Sequence, residues 1–125
     1  MSLRAIRSDK LSPPVGPFSQ AVSTGDLVFL SGQVGLTADG KLVDGGVERE
    51  AEQAFSNVAA VLDAAGKSFA DVVRVGVFLT DMSDFAALNA IYAGHFTEPY
   101  PARTTVAVAG LPLGAAVEID MVVKA

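Results

Sequence analysis

The chain has 125 residues, a formal net charge of −5 at pH 7 and no cysteine. This length suits one domain, residues 1–125, that buries a core without metals or disulfides. The lack of cysteine excludes disulfide scaffolds, thiolate zinc sites and cysteine nucleophiles. The acidic balance and scattered cations argue against nucleic-acid binding, whose affinity comes from clustered Lys and Arg.

The balance of apolar and charged residues predicts an oligomer. Hydrophobic residues make up 50% of the chain and charged residues only 18%. A small interior cannot take up that much apolar surface, so part of it is expected to meet another subunit. Simple enrichment in alanine and valine is the alternative explanation. Charges at Arg4, Arg7, Asp9 and Lys10 interrupt the N-terminal segment, and no run of about 18 apolar residues follows. We therefore expect a cytosolic protein without a membrane partner.

The first third of the chain predicts three strands. Residues 3–8 form a short first strand, and the proline-rich segment 11–17 must be an extended loop. Residues 19–23 and 27–32 are rich in strand-forming types and flank a Gly-Asp turn, which predicts a hairpin. The glycine- and aspartate-punctuated segment 37–46 predicts a surface loop or a small hairpin.

Residues 47–65 carry the clearest helical pattern. Apolar residues recur there at spacings of three and four: Ala51, Ala54, Phe55, Val58, Val61, Leu62 and Ala65. Acidic residues crowd the first turns, where the helix dipole favours them. Gly66 follows at the position of a left-handed C-terminal cap. This segment is expected to lay one face on the core.

The second half of the chain predicts a strand, a helix and two further strands. Residues 72–80 are valine-rich and predict a central strand. Ser83 can cap a second helix, whose buried stripe is Phe85, Leu88, Ile91, Tyr92 and Phe96. Pro99 and Pro101 stop that helix, and residues 103–109 and 116–123 form a closing hairpin. Two amphipathic helices need one apolar surface, so the order predicts an α+β fold: a mixed sheet with both helices packed on one face.

Several familiar site types are missing from the sequence. His95 is the single histidine, so it cannot form a helical pair of metal-binding histidines, and a triad would need a positioned acid and nucleophile as well. A capping or solvated role is expected for it. Ser31 lacks the glycine spacing of a nucleophile elbow. The glycines match no dinucleotide or phosphate-loop pattern. We expect no metal and no organic cofactor.

Arg103 is the candidate for chemistry. It is the only Lys or Arg between Val75 and Val123, and it opens an uncharged strand. A guanidinium amid apolar neighbours usually has a fixed anionic partner. That partner is either a bound ligand or a structural carboxylate, and Glu118 and Asp120, which share one face of the last strand, could supply the latter. The residues alone leave both explanations open.

Five blocks of sequence resemble the RidA/YjgF/UK family in order and spacing. They are Gly16-Pro17-Phe18-Ser19-Gln20-Ala21-Val22, Ser31-Gly32-Gln33, Asn89 with Tyr92, Pro101-Ala102-Arg103-Thr104-Thr105-Val106, and Val117-Glu118-Ile119. The resemblance covers nearly the whole chain, and the block around Arg103 is its most specific part.

The resemblance implies a fold, an assembly and an activity. The fold would be of the bacillus chorismate-mutase type, and the assembly a homotrimer with clefts between subunits. Active members of the family hydrolyse 2-iminopropanoate and 2-iminobutanoate, products of dehydratases and other pyridoxal-phosphate enzymes, to 2-oxo acids and ammonia. The small-molecule partner would then be a 2-imino or 2-oxo acid.

The resemblance also implies roles for single residues. Arg103 would clamp the substrate carboxylate with two parallel hydrogen bonds, and Glu118 would hold or activate the attacking water. Thr105 and the Ser31-Gly32 backbone would line the cleft. Phe18 would form an aromatic wall contributed by a neighbouring subunit, and Asn89 is a further binding candidate.

Two departures and two alternatives accompany this expectation. Position 18 is commonly tyrosine in the family and is phenylalanine here, so a hydroxyl is lost and the substrate preference is affected. Thr105 stands where some relatives carry cysteine. A non-catalytic module that binds a small carboxylate is the first alternative. A structural, chaperone-like or ribonuclease role is the second, and the acidic charge and single histidine count against the nuclease.

Overall fold

The computed structural model describes residues 3–125, which form one six-stranded sheet and two α-helices. The strands lie in the order β1-β2-β3-β6-β4-β5. Their bounds are β1 Arg4–Ile6, β2 Ala21–Ser23, β3 Leu27–Gln33, β4 Val72–Leu79, β5 Ala102–Ala107 and β6 Val117–Lys124. The helices are α1 Gly46–Ala64 and α2 Phe85–Tyr92. The predicted order of elements and the α+β class are confirmed.

The pairing of the last two strands differs from the expected hairpin. β6 lies between β3 and β4, antiparallel to both, while β5 is the edge strand and runs parallel to β4. The chain between β4 and β5 crosses over through α2, which parallel neighbours require. A hairpin would have put β6 next to β5. Instead, β6 lies inside the sheet, between β3 and β4. The closing hairpin predicted from the sequence is therefore wrong.

The predicted turns are formed largely as expected. Gly25, with φ of 106°, turns the β2–β3 hairpin, and residues 37–46 form a small hairpin closed by a bridge between Leu36 and Leu42. Gly66 adopts φ of 71° after α1, and the next amide, that of Lys67, donates to the Leu62 carbonyl. This is the left-handed cap that the glycine predicted.

The second helix is shorter than its apolar pattern predicted. Ser83 does not cap it, because Ser83 lies in a preceding 3-10 turn and donates both its amide and its hydroxyl to the Asp81 carboxylate. The helix starts at Phe85, which is 38% exposed and so lies outside the buried stripe. It ends at Tyr92, and Phe96 reaches the core from the following turn.

The two faces of the sheet have different neighbours. The inner face packs against α1 and α2, and it carries fully buried residues such as Val75, Val77 and Ile119. The opposite, outer face is uncovered, and Phe29 and Val106 lie on it with 42% and 39% of their surface exposed. Half-buried side chains on alternate positions of β6 lie on this face as well. Neither helix within residues 3–125 is long and apolar enough to cross a membrane.

Two buried polar residues of α1 tie the helix to neighbouring segments. Asn57 donates two hydrogen bonds, to the carbonyls of Val34 at 3.1 Å and Leu36 at 2.9 Å. The Glu50 carboxylate accepts a 2.7 Å hydrogen bond from the amide of Ala116, the residue that precedes β6. Because a backbone amide withdrawn from water needs a partner, this bond from the buried Glu50 helps to fix where β6 begins.

Candidate functional site

Arg103 lies on β5 with its side chain directed at α2. The central carbon of its guanidinium stands 4.5 Å from the ring centre of Tyr92 and 5.6 Å from that of Phe85. Arg103 belongs to none of the ion pairs among residues 3–125, which are Arg7–Asp9, Lys10–Asp63 and Arg49–Glu52. The structural ion pair with Glu118 or Asp120, considered from the sequence, is therefore wrong. The positive charge is compensated by aromatic faces.

Unpartnered polar atoms surround this arginine. The buried side-chain oxygens without a hydrogen-bond partner among residues 3–125 are Asn89 Oδ1, the Tyr92 hydroxyl and Thr105 Oγ1. Asn89 lies on α2 between the two rings that contact Arg103, four residues from one and three from the other. Thr105 follows Arg103 by two residues and so shares its face of β5. Buried unpaired oxygens are rare, so these three, together with the guanidinium of Arg103, mark a polar site between α2 and β5.

Glu118 lies on β6 and on the outer face of the sheet. Its carboxylate lies above Gly32, where an added β-carbon would stand 2.6 Å from Oε2. Asp120, two residues later, lies above Gly76 in the same way. Desolvation by burial raises the pKa of Glu118 above its ordinary value, and the negative charge of Asp120 raises it further. Glu118 is thus a carboxylate that holds a proton more readily than an exposed glutamate.

The sheet separates Arg103 from Glu118. Val75 of β4 pairs with Arg103 on one side and with Met121 on the other, so these three side chains point to the inner face. Glu118 pairs with Phe78, which lies three residues after Val75 on β4. Because successive side chains of a strand alternate between the two faces, Glu118 points to the outer face. The sequence left the relative register open, and the structure places the two candidates on opposite faces of one chain.

The remaining predicted site residues lie along the start of β2 and the end of β3. Ser31 donates its amide to the Gln20 carbonyl and its hydroxyl to the Ser19 carbonyl, at 2.9 and 2.7 Å. These bonds hold the segment that carries Phe18, whose ring is 51% exposed. The β3–β6 register shifts between Leu30 and Gln33, which leaves Gly32 at a bulge next to Glu118. Gly32 thus lies against Glu118, and Ser31 beside it is tied to the segment that follows Phe18.

His95 has a structural position that the sequence did not predict. Its ring stacks on Phe55 with 4.2 Å between centres and lies 5.1 Å from Phe69, so it is part of the aromatic edge of the core. Burial lowers its pKa, which favours the neutral ring. The expectation of a capping or solvated histidine is replaced by one of aromatic packing.

Tyr92 and Phe85 are the residues beside Arg103 that sequence reasoning did not include in the site. Both were assigned to a buried helical stripe. Their seven-residue spacing, with Asn89 between them, places all three on one side of α2. The spacing is visible in the sequence, but the sequence does not show that β5, with Arg103, lies against this side of the helix.

Comparisons with known proteins show which family the chain is related to. Residues 9–125 match the family described as Endoribonuclease L-PSP. The chain is 46% identical over 125 residues to the 2-iminobutanoate/2-iminopropanoate deaminase of Dermatophagoides farinae, and the match covers 98% of each. It superposes with a TM-score of 0.92 on RidA from the Antarctic bacterium Psychrobacter sp. PAMC 21119, at 45% identity, covering 98% of this chain and 99% of that one.

A further solved relative carries a ligand. The chain superposes with a TM-score of 0.90 on E. coli TdcF with bound serine, at 33% identity and with 98% of each chain covered. The match to the family spans almost all of the described chain, including both strands that carry Arg103 and Glu118. The chain belongs to the Endoribonuclease L-PSP family, the group that the sequence resemblance identified as RidA/YjgF/UK.

Proposed function

We propose that this protein hydrolyses reactive 2-imino acids, and the enamines in equilibrium with them, to 2-oxo acids and ammonia. The observation that carries the proposal is the guanidinium of Arg103, which no carboxylate among residues 3–125 neutralises. An arginine whose fork is free of internal partners suits a planar carboxylate, which it can bind through two parallel hydrogen bonds. The choice of substrate is supported by a relative that is 46% identical and is named 2-iminobutanoate/2-iminopropanoate deaminase.

The assembly is part of the proposal. Because Arg103 and Glu118 of one chain face opposite sides of the sheet, a site that uses both needs a second chain. The uncovered outer face, with exposed Phe29 and Val106, has the apolar character of a subunit interface. We infer a homotrimer in which each cleft combines Arg103, Asn89 and Thr105 of one subunit with Glu118 and Phe18 of the next. Closed cyclic assembly uses every such surface once per subunit. We place this trimer in the cytosol.

The chemistry needs few groups, because the carbon of an iminium is already electrophilic. Arg103 holds the substrate carboxylate, and a water beside Glu118 adds to C2 while Glu118 takes its proton. The resulting carbinolamine receives that proton on nitrogen, and ammonia leaves as the C2 hydroxyl gives its own proton to Glu118 and becomes the carbonyl. General-base help of this kind is worth roughly 10²- to 10⁴-fold. The raised pKa of Glu118 suits a group that must both accept and return a proton.

A coupled assay tests the proposal. A dehydratase acting on threonine or serine generates the imine, and the release of 2-oxo acid is followed with and without the protein. We expect acceleration by the unaltered chain and a loss of roughly 30-fold or more with Arg103→Ala, since truncating one partner of a charge pair costs at least about 2 kcal/mol. Arg49→Ala, an exposed arginine on α1, is the matched control. Full activity of Arg103→Ala would show that Arg103 does not hold the substrate carboxylate.

A binding module for small carboxylates is the second candidate. Phe18 favours it, because the phenyl ring supplies a wall but no hydroxyl to bond a substrate or a water. Such a module needs Arg103 and has no use for Glu118 as a base. Glu118→Gln therefore separates the two: it abolishes acceleration in a deaminase and leaves the binding of 2-oxo acids unchanged in a module.

A further inference from the structure

We propose that Tyr92 is a positioning residue for Arg103: its ring face carries the guanidinium and holds the fork ready for a carboxylate. The inference rests on the function proposed above, because it assigns a task to Tyr92 within that same site.

The first step is the environment of the charge. Arg103 is half-buried, and among residues 3–125 it forms no ion pair and donates no side-chain hydrogen bond. Removing a guanidinium from water without compensation is costly. The ring of Tyr92 lies 4.5 Å from the guanidinium carbon, closer than the ring of Phe85 at 5.6 Å. Cation–π attraction operates within about 6 Å and grows as the contact is desolvated.

The second step is what this contact leaves available. A carboxylate partner would occupy N–H donors of Arg103, whereas an aromatic face attracts the charge through its π-electrons. All of the donors at the rim of the guanidinium plane stay free for a ligand. An aromatic support is thus the kind of partner that stabilises the charge without competing with the substrate.

The third step is the rigidity of the support. Tyr92 is only 7% exposed, and its ring packs against Phe55 of α1 at 6.0 Å and against Phe96 at 4.6 Å between centres. These contacts fix the ring within the core. The ring of Phe85 is farther from Arg103, at 5.6 Å, and is 38% exposed, so it contributes less. A functional fork must be held by groups that are themselves locked, and Tyr92 meets that condition.

The test compares rings of the same shape and different charge distribution. Tyr92 is replaced by Phe and by pentafluorophenylalanine, whose fluorines reverse the sign of the ring quadrupole. Pyruvate, as the product-like carboxylate, is titrated against each protein. We expect the fluorinated ring to weaken pyruvate binding roughly 5- to 30-fold relative to Phe, the range that one cation–π contact gives at a buried site. Equal dissociation constants for the two rings would overturn the inference.

The kinetic constants of a variant with a standard amino acid at position 92 give a second readout. Tyr92→Leu is expected to raise KM by a similar factor with a much smaller change in kcat, because the clamp holds the carboxylate before and during the reaction. Val61→Ala, a core truncation on α1 away from Arg103, controls for lost stability. An unchanged KM in Tyr92→Leu, or an equal rise in Val61→Ala, would also contradict the inference.

The two proposals fail in different ways. If Arg103→Ala binds pyruvate as well as the unaltered chain, the carboxylate clamp itself is wrong and the proposed function falls. If Arg103→Ala loses binding while both rings at position 92 bind equally, the clamp stands and only the role of Tyr92 is lost.

Discussion

Arg103 and Glu118 lie on opposite faces of the same sheet. Their partners on the intervening strand β4 are Val75 and Phe78, which are three residues apart and so point to opposite faces. Arg103 points to the helices and rests on Tyr92, whereas Glu118 points to the uncovered face and rests on Gly32. In the proposed function a single chain therefore holds two half-sites, and we infer that a ligand reaches both only where two chains meet.

Glu118 is expected to reduce the stability of the fold in its ionised form. Burial and Asp120 raise its pKa in the folded chain, so the folded state favours the proton, and the associated stability is lost as pH rises through the folded pKa. Glu118→Gln should therefore raise Tm at neutral pH and lose this advantage below the ordinary pKa of glutamate. Thermal unfolding at several pH values measures the difference. A variant less stable than the parent at pH 7 would contradict this assignment of the pKa shift.

Gly32 is expected to matter because of the carboxylate above it. A β-carbon there would stand 2.6 Å from Glu118 Oε2, so Gly32→Ala must displace the base. A misplacement of about 1 Å can cost roughly 100-fold in rate, and we expect kcat to fall on that scale with a smaller change in KM.

Gly110→Ala is the matched control for this substitution. A β-carbon on Gly110 meets nothing within 4 Å, so the kinetic constants should stay close to those of the parent. If Gly32→Ala and Gly110→Ala had the same kcat, the position of Glu118 would not govern the rate.

Glu50 is expected to contribute to stability through one hydrogen bond. Glu50→Ala leaves the partly buried amide of Ala116 without its partner at the point where β6 begins. An unsatisfied buried donor costs about 1–3 kcal/mol, so for this partly buried amide denaturant unfolding should show a loss in the lower part of that range. Glu52→Ala removes only an exposed contact with Arg49 and should cost no more than about 1 kcal/mol. Equal losses in the two variants would show that the Ala116 bond carries no weight.

Much of the fold follows from patterns visible in the sequence. The three-and-four spacing of apolar residues predicted α1, and Gly66 predicted its end, because both are local properties of the chain. The hairpin of β5 and β6 was predicted from their adjacency in sequence. That prediction failed because β6 takes its partners, β3 and β4, from distant parts of the chain. Local patterns do not encode which strand a sheet accepts as a neighbour.

The residues of the candidate site could be predicted from the sequence, but their arrangement in space could not. Arg103 stood out as the lone cation of a long segment, and alternation placed Glu118 and Asp120 on one face. The separation of Arg103 from Glu118 depends on the register of β4 with both of its neighbours, which is a long-range property. The role of Tyr92 depends on the same placement, since a helix residue can support an arginine only after the strand beneath it is known.

Mixing two inactive variants tests the central claim, that each site combines Arg103 of one subunit with Glu118 of another. Arg103→Ala and Glu118→Gln chains carrying different tags are co-expressed, and the doubly tagged oligomers are purified. In a closed ring of three that contains both variants, one of the three interfaces pairs an intact Arg103 with an intact Glu118, so we expect roughly a third of the parent's imine hydrolysis. The double variant Arg103→Ala/Glu118→Gln, co-expressed with either single variant, should restore none. Inactive mixed oligomers of the two single variants would contradict a site shared between subunits.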